Sequence, residues 1–191
     1  YMAVENILSE VGQYVCPFCV EPLGDRRNDD YRVNIIILLS RMGQDAVLPV
    51  VEMLNSPDSF TRQNAAIVLG HIGDPRALAA LKGRYEDPKE DEHVKGAAKE
   101  ALMSIAKIKA EDVETLEPAK TIYFRLAERY YYDDLAIILS NYKEWLYWFW
   151  LEKEEAPENR LAYRPVDRWE YNELLAEEAC YRALALDPNY D

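Results

Sequence analysis

Glycine is scarce, at 7 residues in 191, which leaves too few turn formers for an all-β fold. Three cysteines do not make a disulfide framework and point to a reducing compartment. Basic residues are outnumbered, 22 against 35 acidic, for a net charge of −13. Nucleic-acid affinity rests on Lys and Arg neutralising phosphates. No basic patch offsets the carboxylates, so neither nucleic acid nor an anionic membrane surface is expected as a partner. The longest apolar run, Trp145 to Leu151, is far short of the ~20 residues of a membrane-spanning helix, and no membrane insertion is expected. Hydrophobic residues make up 49% and charged residues 30%, the balance of a folded chain.

What is present is a repeat. Leu8-Ser9-Glu10-Val11-Gly12-Gln13 recurs 31 positions on as Leu39-Ser40-Arg41-Met42-Gly43-Gln44, and Val20, Glu21 and Leu23 recur as Val51, Glu52 and Leu54. A further shift of 30 reaches Leu69-Gly70-His71-Ile72-Gly73, and one of 33 reaches Leu102-Met103-Ser104-Ile105. The added residues of the last unit fall in the charged stretch Glu86 to Glu92 around Pro88. Each unit reads as two helices. In the second, Ile35, Leu38, Leu39 and Met42 correspond to Ala65, Val68, Leu69 and Ile72 and to Ala98, Ala101, Leu102 and Ile105. This i, i+3, i+4, i+7 spacing makes one apolar stripe per helix. A single unit cannot cover that stripe, so neighbouring units must stack. Asp74-Pro75 reads as a cap followed by a first-turn proline, and Gly12, Gly43 and Gly73 sit where a helix must stop and reverse. The expected fold is all-α, a solenoid of helix pairs.

Thr61, Arg62, Ala65, Ala66, Leu69 and Gly70, with Val94, Lys95, Ala98, Ala101 and Leu102, resemble the second helix of HEAT repeats, in the variety shared with phycobilisome-lyase-like proteins. The resemblance covers about residues 1–108 and implies a binding and assembly surface. Val4, Ile7, Leu8 and Val11 align with Ile35, Leu38, Leu39 and Met42, so the chain begins inside a second helix. A fragment, or a partner that caps the open half-unit, is the expectation.

Composition shifts after residue 110. All four tryptophans and ten of the 14 tyrosines follow residue 120, and a second domain is expected over 111–191. Tyr123, Leu126, Ala127 and Tyr130 resemble the first helix of a tetratricopeptide repeat. Ala176, Cys180, Ala183 and Pro188 are similar to its second helix and terminal proline, with about 38 additional residues between the halves. That insertion, about 133–166, carries Trp145 to Leu151 and Leu161 to Pro165 around the polar loop Glu152 to Asn159, the pattern of a β-hairpin. Trp145, Tyr147, Trp148, Trp150 and Tyr163, with Trp169 beyond, form either an exposed platform for a partner or a small aromatic core that packs the hairpin onto the helices. The core reading is favoured.

Cys16-Pro17-Phe18-Cys19 is the one motif with chemical promise. A redox C-x-x-C opens a helix after a strand, whereas here the repeat puts both thiols inside a first helix, where small buried apolar residues are expected. A structural zinc would need two further ligands, and neither His71 nor Cys180 is placed to supply one. The second histidine, His93, falls in the charged loop. The His-Glu pairs of HEAT-type hydroxylases are absent, as are phosphate-binding glycine loops and nucleophile elbows. No catalytic residue, metal or cofactor is expected. Arg32, Arg62 and Lys95 share one column of successive second helices. They form either a ladder of cations tied to nearby carboxylates, which is favoured, or a basic ridge for an acidic partner. The expected function is a non-catalytic scaffold binding other proteins, subunits of a larger complex or further copies of the chain through open repeat ends. The alternative is a HEAT-type lyase or modifying enzyme acting on a protein-bound cofactor. A cytoplasmic or other soluble location is expected, with export left open.

Overall fold

The structure is a computed structural model that describes residues 11–138, 144–151 and 161–188. Three helix pairs follow one another: α1 (Cys16–Gly24) with α2 (Asp29–Met42), α3 (Val47–Met53) with α4 (Ser59–Ile72), and α5 (Leu78–Glu86) with α6 (Glu92–Ala106). A further helix α7 (Ala119–Tyr131), a hairpin of β1 (Trp145–Trp150) and β2 (Leu161–Val166), and a long helix α8 (Arg168–Leu186) follow among the described residues. The opening half-unit expected at Val4, Ile7 and Leu8, and the hairpin loop at Glu152 to Asn159, lie outside the described residues.

Local chemistry sets the boundaries. Asn28, Asp58 and Asp91 cap α2, α4 and α6, their side-chain oxygens accepting from the backbone N–H of Tyr31, Thr61 and His93. Each cap of this kind contributes about 1 kcal/mol. His93, expected in the charged loop, thus falls in the first turn of α6, and its side chain is exposed. Gly12, Gly43 and Gly73 hold φ of 56°, 60° and 75°, the region where only glycine avoids a Cβ clash. In the third unit Lys107 takes the equivalent left-handed position, with φ 56°.

The reversal at Gly43 also bears on the membrane question. Asp29–Met53 is long and apolar enough to cross a bilayer by length and composition, at mean hydropathy 1.3. It is folded as α2 and α3 on either side of Gly43, and neither piece alone has the ~20 residues a span requires.

The second helices stack in order, α2 on α4 and α4 on α6, and the expected stripe lies between them. Ile35, Leu39, Ala65, Val68, Leu69, Ala98, Ala101 and Leu102 are all buried. Each buried Leu or Val contributes about 1.5–3 kcal/mol of hydrophobic free energy. Gly70 is required by close approach: a Cβ there would stand 3.0 Å from Ala101 Cα, inside contact distance.

α7 and α8 are antiparallel. Lys120, at the start of α7, meets Asp187 beyond the end of α8 at 2.5 Å, while Asp133, past the end of α7, accepts from Asn172 near the start of α8 at 2.6 Å. Strands β1 and β2 pair antiparallel from Trp145 opposite Val166 to Trp150 opposite Leu161, the hairpin expected from the sequence. β1 lies against α3 and α8, and β2 against α1 and α3. One hydrophobic core runs from Cys16 through Leu39, Leu69 and Leu102 to Tyr123, Trp148 and Ala183. A second, smaller cluster joins Tyr130, Ile137, Ile138 and Ala176 within the part of the chain after residue 110.

Candidate functional site

Alternation along β1 divides its side chains between two faces. Leu146 and Trp148 are buried in the core shared with the helix pairs, and Trp150 and Tyr163 are partly covered against it. The Trp148 indole Nε1 donates to Gln13 Oε1 at 2.8 Å, a link of 135 residues. On the opposite face Trp145 packs against Tyr171 at 5.0 Å between ring centroids, beneath the Arg168 guanidinium. The Tyr147 hydroxyl donates to Glu178 on α8 at 3.4 Å, and burial with the nearby carboxylates pushes this phenol up to about 12. The structure brings the hairpin aromatics together, but against α1, α3 and α8, not toward solvent. Only Trp169 of the expected aromatic set stands clear, 68% exposed.

Below Tyr147 lies a polar joint. Glu52 on α3 is buried among apolar side chains, and Arg182 on α8 donates to it at 2.5 Å and to Glu178 at 2.7 Å. Asn55 Nδ2 adds a third hydrogen bond at 3.1 Å. Burial raises the Glu52 carboxyl above its ordinary range even with Arg182 beside it, because removing a charge from water is only partly offset by pairing. Arg182 keeps its proton under any ordinary condition. Next to this joint an open cleft of about 730 Å³ runs between α5, α7 and α8, walled by Arg84, Lys120, Tyr123 and Arg182. Its cations are engaged: Arg84 with Asn55 at 3.0 Å and Glu90 at 3.6 Å, and Lys120 with Asp187. The cleft is a seam between helices with its charges internally matched.

The basic column behaves as bracing. Arg32 donates to the Asp25 carbonyl at 2.8 Å and pairs with Asp29 at 2.9 Å, its guanidinium 4.8 Å above the Phe60 ring. Arg62 donates to the Ser56 carbonyl at 2.7 Å and forks onto Glu90, which is almost wholly buried. Lys95 meets Glu92 at 3.6 Å. Arg62 reaches the loop of the following unit, whereas Arg32 and Lys95 use carboxylates in the first turn of their own helices.

Cys16 and Cys19 are buried in α1, as the repeat implies, and Cys19 Sγ donates to the Val15 carbonyl at 3.4 Å. Burial pushes the Cys19 thiol up to about 11 and raises the Cys16 thiol well above its ordinary value, the opposite of an activated nucleophile. Cys180 is exposed. With a thiol-reactive dye at pH 8, one equivalent is expected to react promptly and two more only on unfolding. Three prompt equivalents would show that the α1 cysteines are accessible. Among the described residues no three His, Cys, Asp or Glu side chains gather as a metal site.

The open apolar surface lies elsewhere. On the outer side of the α7–α8 pair a groove of about 460 Å³ is walled by Phe124, Tyr131 and Tyr132. Tyr131 and Tyr132 are 70% and 75% exposed, with rings edge to face at 5.3 Å. The sequence carried a signal for this surface. Tyr123, Leu126, Ala127 and Tyr130 already make one apolar stripe, and Phe124, Tyr131 and Tyr132 extend α7 well past it.

Residues 20–103 match the model of the HEAT repeats family. That stretch is similar to HEAT repeats. The matched stretch starts inside α1 and ends near the close of α6, so it spans the three stacked pairs. The matched stretch is thus the part whose second helices form the layer and whose first helices α1 and α3 receive the hairpin. No curated protein and no solved structure matches the chain.

Proposed function

We propose that the protein is a non-catalytic scaffold that organises a larger protein assembly. HEAT repeats commonly serve as interaction surfaces, and function must be argued from the site and not from the fold alone. The observation that carries the reading is the outer face of the α7–α8 pair, where large aromatic side chains stand open on a frame braced internally by Glu52, Arg182 and Arg62. Concentrated exposed apolar surface on a rigid frame is the mark of a protein-binding site. The phycobilisome-lyase-like character of the HEAT array and the tetratricopeptide-like character of α7 and α8 belong to the same proposal, as does a cytoplasmic or other soluble location. Partners are other proteins of one complex, further copies of the chain included.

Mass photometry of the protein drawn from its native source tests this. A species well above the 22.2 kDa of the chain is expected, with defined companions by mass spectrometry. Free monomer throughout would overturn the scaffold reading, and a pigment or iron retained by the purified protein would favour the lyase alternative.

A further inference from the structure

We infer that the groove between α7 and α8 docks a basic amphipathic helix of a partner protein. The inference rests on the scaffold reading and names the class of partner. Phe124, Glu128, Tyr131 and Tyr132 recur along α7 at i, i+4, i+7 and i+8, and Glu173, Glu177 and Cys180 follow the same rule on α8. Each row is one helical face. Between the rows the floor is Ala127 and Ala176, both buried. Small residues on the floor and aromatic side chains on the wall make the relief into which a third helix packs its ridges. The face consists of two helices whose backbone bonds are internal, so an extended segment would find no ladder to join. Helix-in-groove docking is the mode that fits.

Charge selects the occupant. Glu128, Glu173 and Glu177 rim the groove, and among the described residues none is in an ion pair. Glu173 and Glu177 stand four apart on one helix, where like charges repel. Lys or Arg flanking the apolar stripe of an incoming helix would relieve that repulsion and steer the encounter. A second copy of this chain facing through the same groove would set three carboxylates against three. An anionic bilayer is disfavoured for the same reason.

Fluorescence anisotropy with the full chain tests the inference. The probe is a labelled helical peptide of about five turns with Leu at i, i+3, i+4 and i+7 and Lys on both flanks, compared with the same peptide carrying Glu on the flanks. The Lys peptide is expected to bind at least about 10-fold tighter at low salt, with the preference shrinking as salt rises. Combined Glu128→Lys, Glu173→Lys and Glu177→Lys should invert the preference, and Phe124→Ser with Tyr131→Ser should abolish binding of both peptides. These positions are exposed or at the groove rim, so the variants should fold, and a circular dichroism melt checks that they do. Equal affinity for the two peptides, or a preference unchanged in the triple variant, overturns the inference. So does dimerisation of the wild-type chain that Phe124→Ser with Tyr131→Ser removes. Failure of the peptide while the native assembly persists would sink the groove and leave the scaffold standing. Peptide binding at the groove in a protein that never leaves the monomer would sink the scaffold alone.

Discussion

Arg182→Met is expected to destabilise the folded chain by about 3–5 kcal/mol, the range for removing one partner of a buried ion pair. The loss would exceed that of an exposed pair because Glu52 has little else to turn to. Its carboxylate would keep only the Asn55 amide, at 3.1 Å, with the like charge of Glu178 nearby. The deficit should depend on pH, and the sign follows from the Glu52 carboxyl. Its folded pKa lies above the unfolded one, so the folded state binds the proton more tightly. Stability from this group therefore rises as pH falls from neutral through the folded value, and levels off below the unfolded value. Without Arg182 the folded value moves higher still, so the variant should recover part of its deficit between pH 7 and pH 5. Asp25, Asp58 and Asp134 have lowered values and contribute the opposite slope, but equally in both proteins. Those slopes cancel in the difference between variant and wild type. Urea unfolding at the two pH values measures it, and Glu52→Leu with Arg182→Met should regain most of the loss. A single-variant deficit below about 1 kcal/mol, flat in pH, would mean that the joint is solvated and does not hold α8 to the array.

The fold was legible where interactions are local or periodic. The stripe through Leu39, Leu69 and Leu102 repeats at helical spacing, and its burial needed only that adjacent units stack. The caps at Asn28, Asp58 and Asp91 and the reversals at Gly43 and Gly73 are likewise written in single residues. The hairpin was legible as two apolar runs around a polar loop. Its docking site was not, because nothing local ties Trp148 to Gln13. The joint is a sharper case. Glu21 and Glu52 are the same residue at the same place in successive units, yet Glu21 is exposed and Glu52 buried. The difference comes from elements outside the repeat: Arg182 on α8, 130 residues later in sequence, meets Glu52, and β1 lies against α3. Repeat logic treats equivalent positions alike, so it cannot see a cover that breaks the equivalence. The arrival of α8 also covers the hairpin aromatics. The hairpin aromatics turn onto α1, α3 and α8, whereas Phe124, Tyr131 and Tyr132 lie outside the tetratricopeptide-like positions Tyr123, Leu126, Ala127 and Tyr130 and stay exposed.

Trp148→Ala should cost about 3–5 kcal/mol, as expected for truncating a buried aromatic side chain, and should release the hairpin as a unit. A two-stranded hairpin is marginal alone in water, and the face of this one that carries Trp148 seats it on α1 and α3. Trp148 is 4% exposed, sits opposite Tyr163 in register with ring centroids 5.0 Å apart, and donates its indole proton to Gln13. Removing the indole empties the centre of that face and leaves the Gln13 carbonyl oxygen without its donor. Trp148→Phe separates the two contributions: most apolar contact is kept, so a loss near 1 kcal/mol is expected from the hydrogen bond, with a smaller addition from the reduced ring. Hydrogen exchange locates the effect. In Trp148→Ala the amides of Trp145–Trp150 and Leu161–Val166 should lose protection, and those of α1 and α3 should lose some with them. The stack of α4 on α6 should keep its protection. Strand amides as protected in Trp148→Ala as in wild type would mean that α8 alone holds the hairpin through Trp145 and Tyr147, and that the seat on α1 and α3 is secondary.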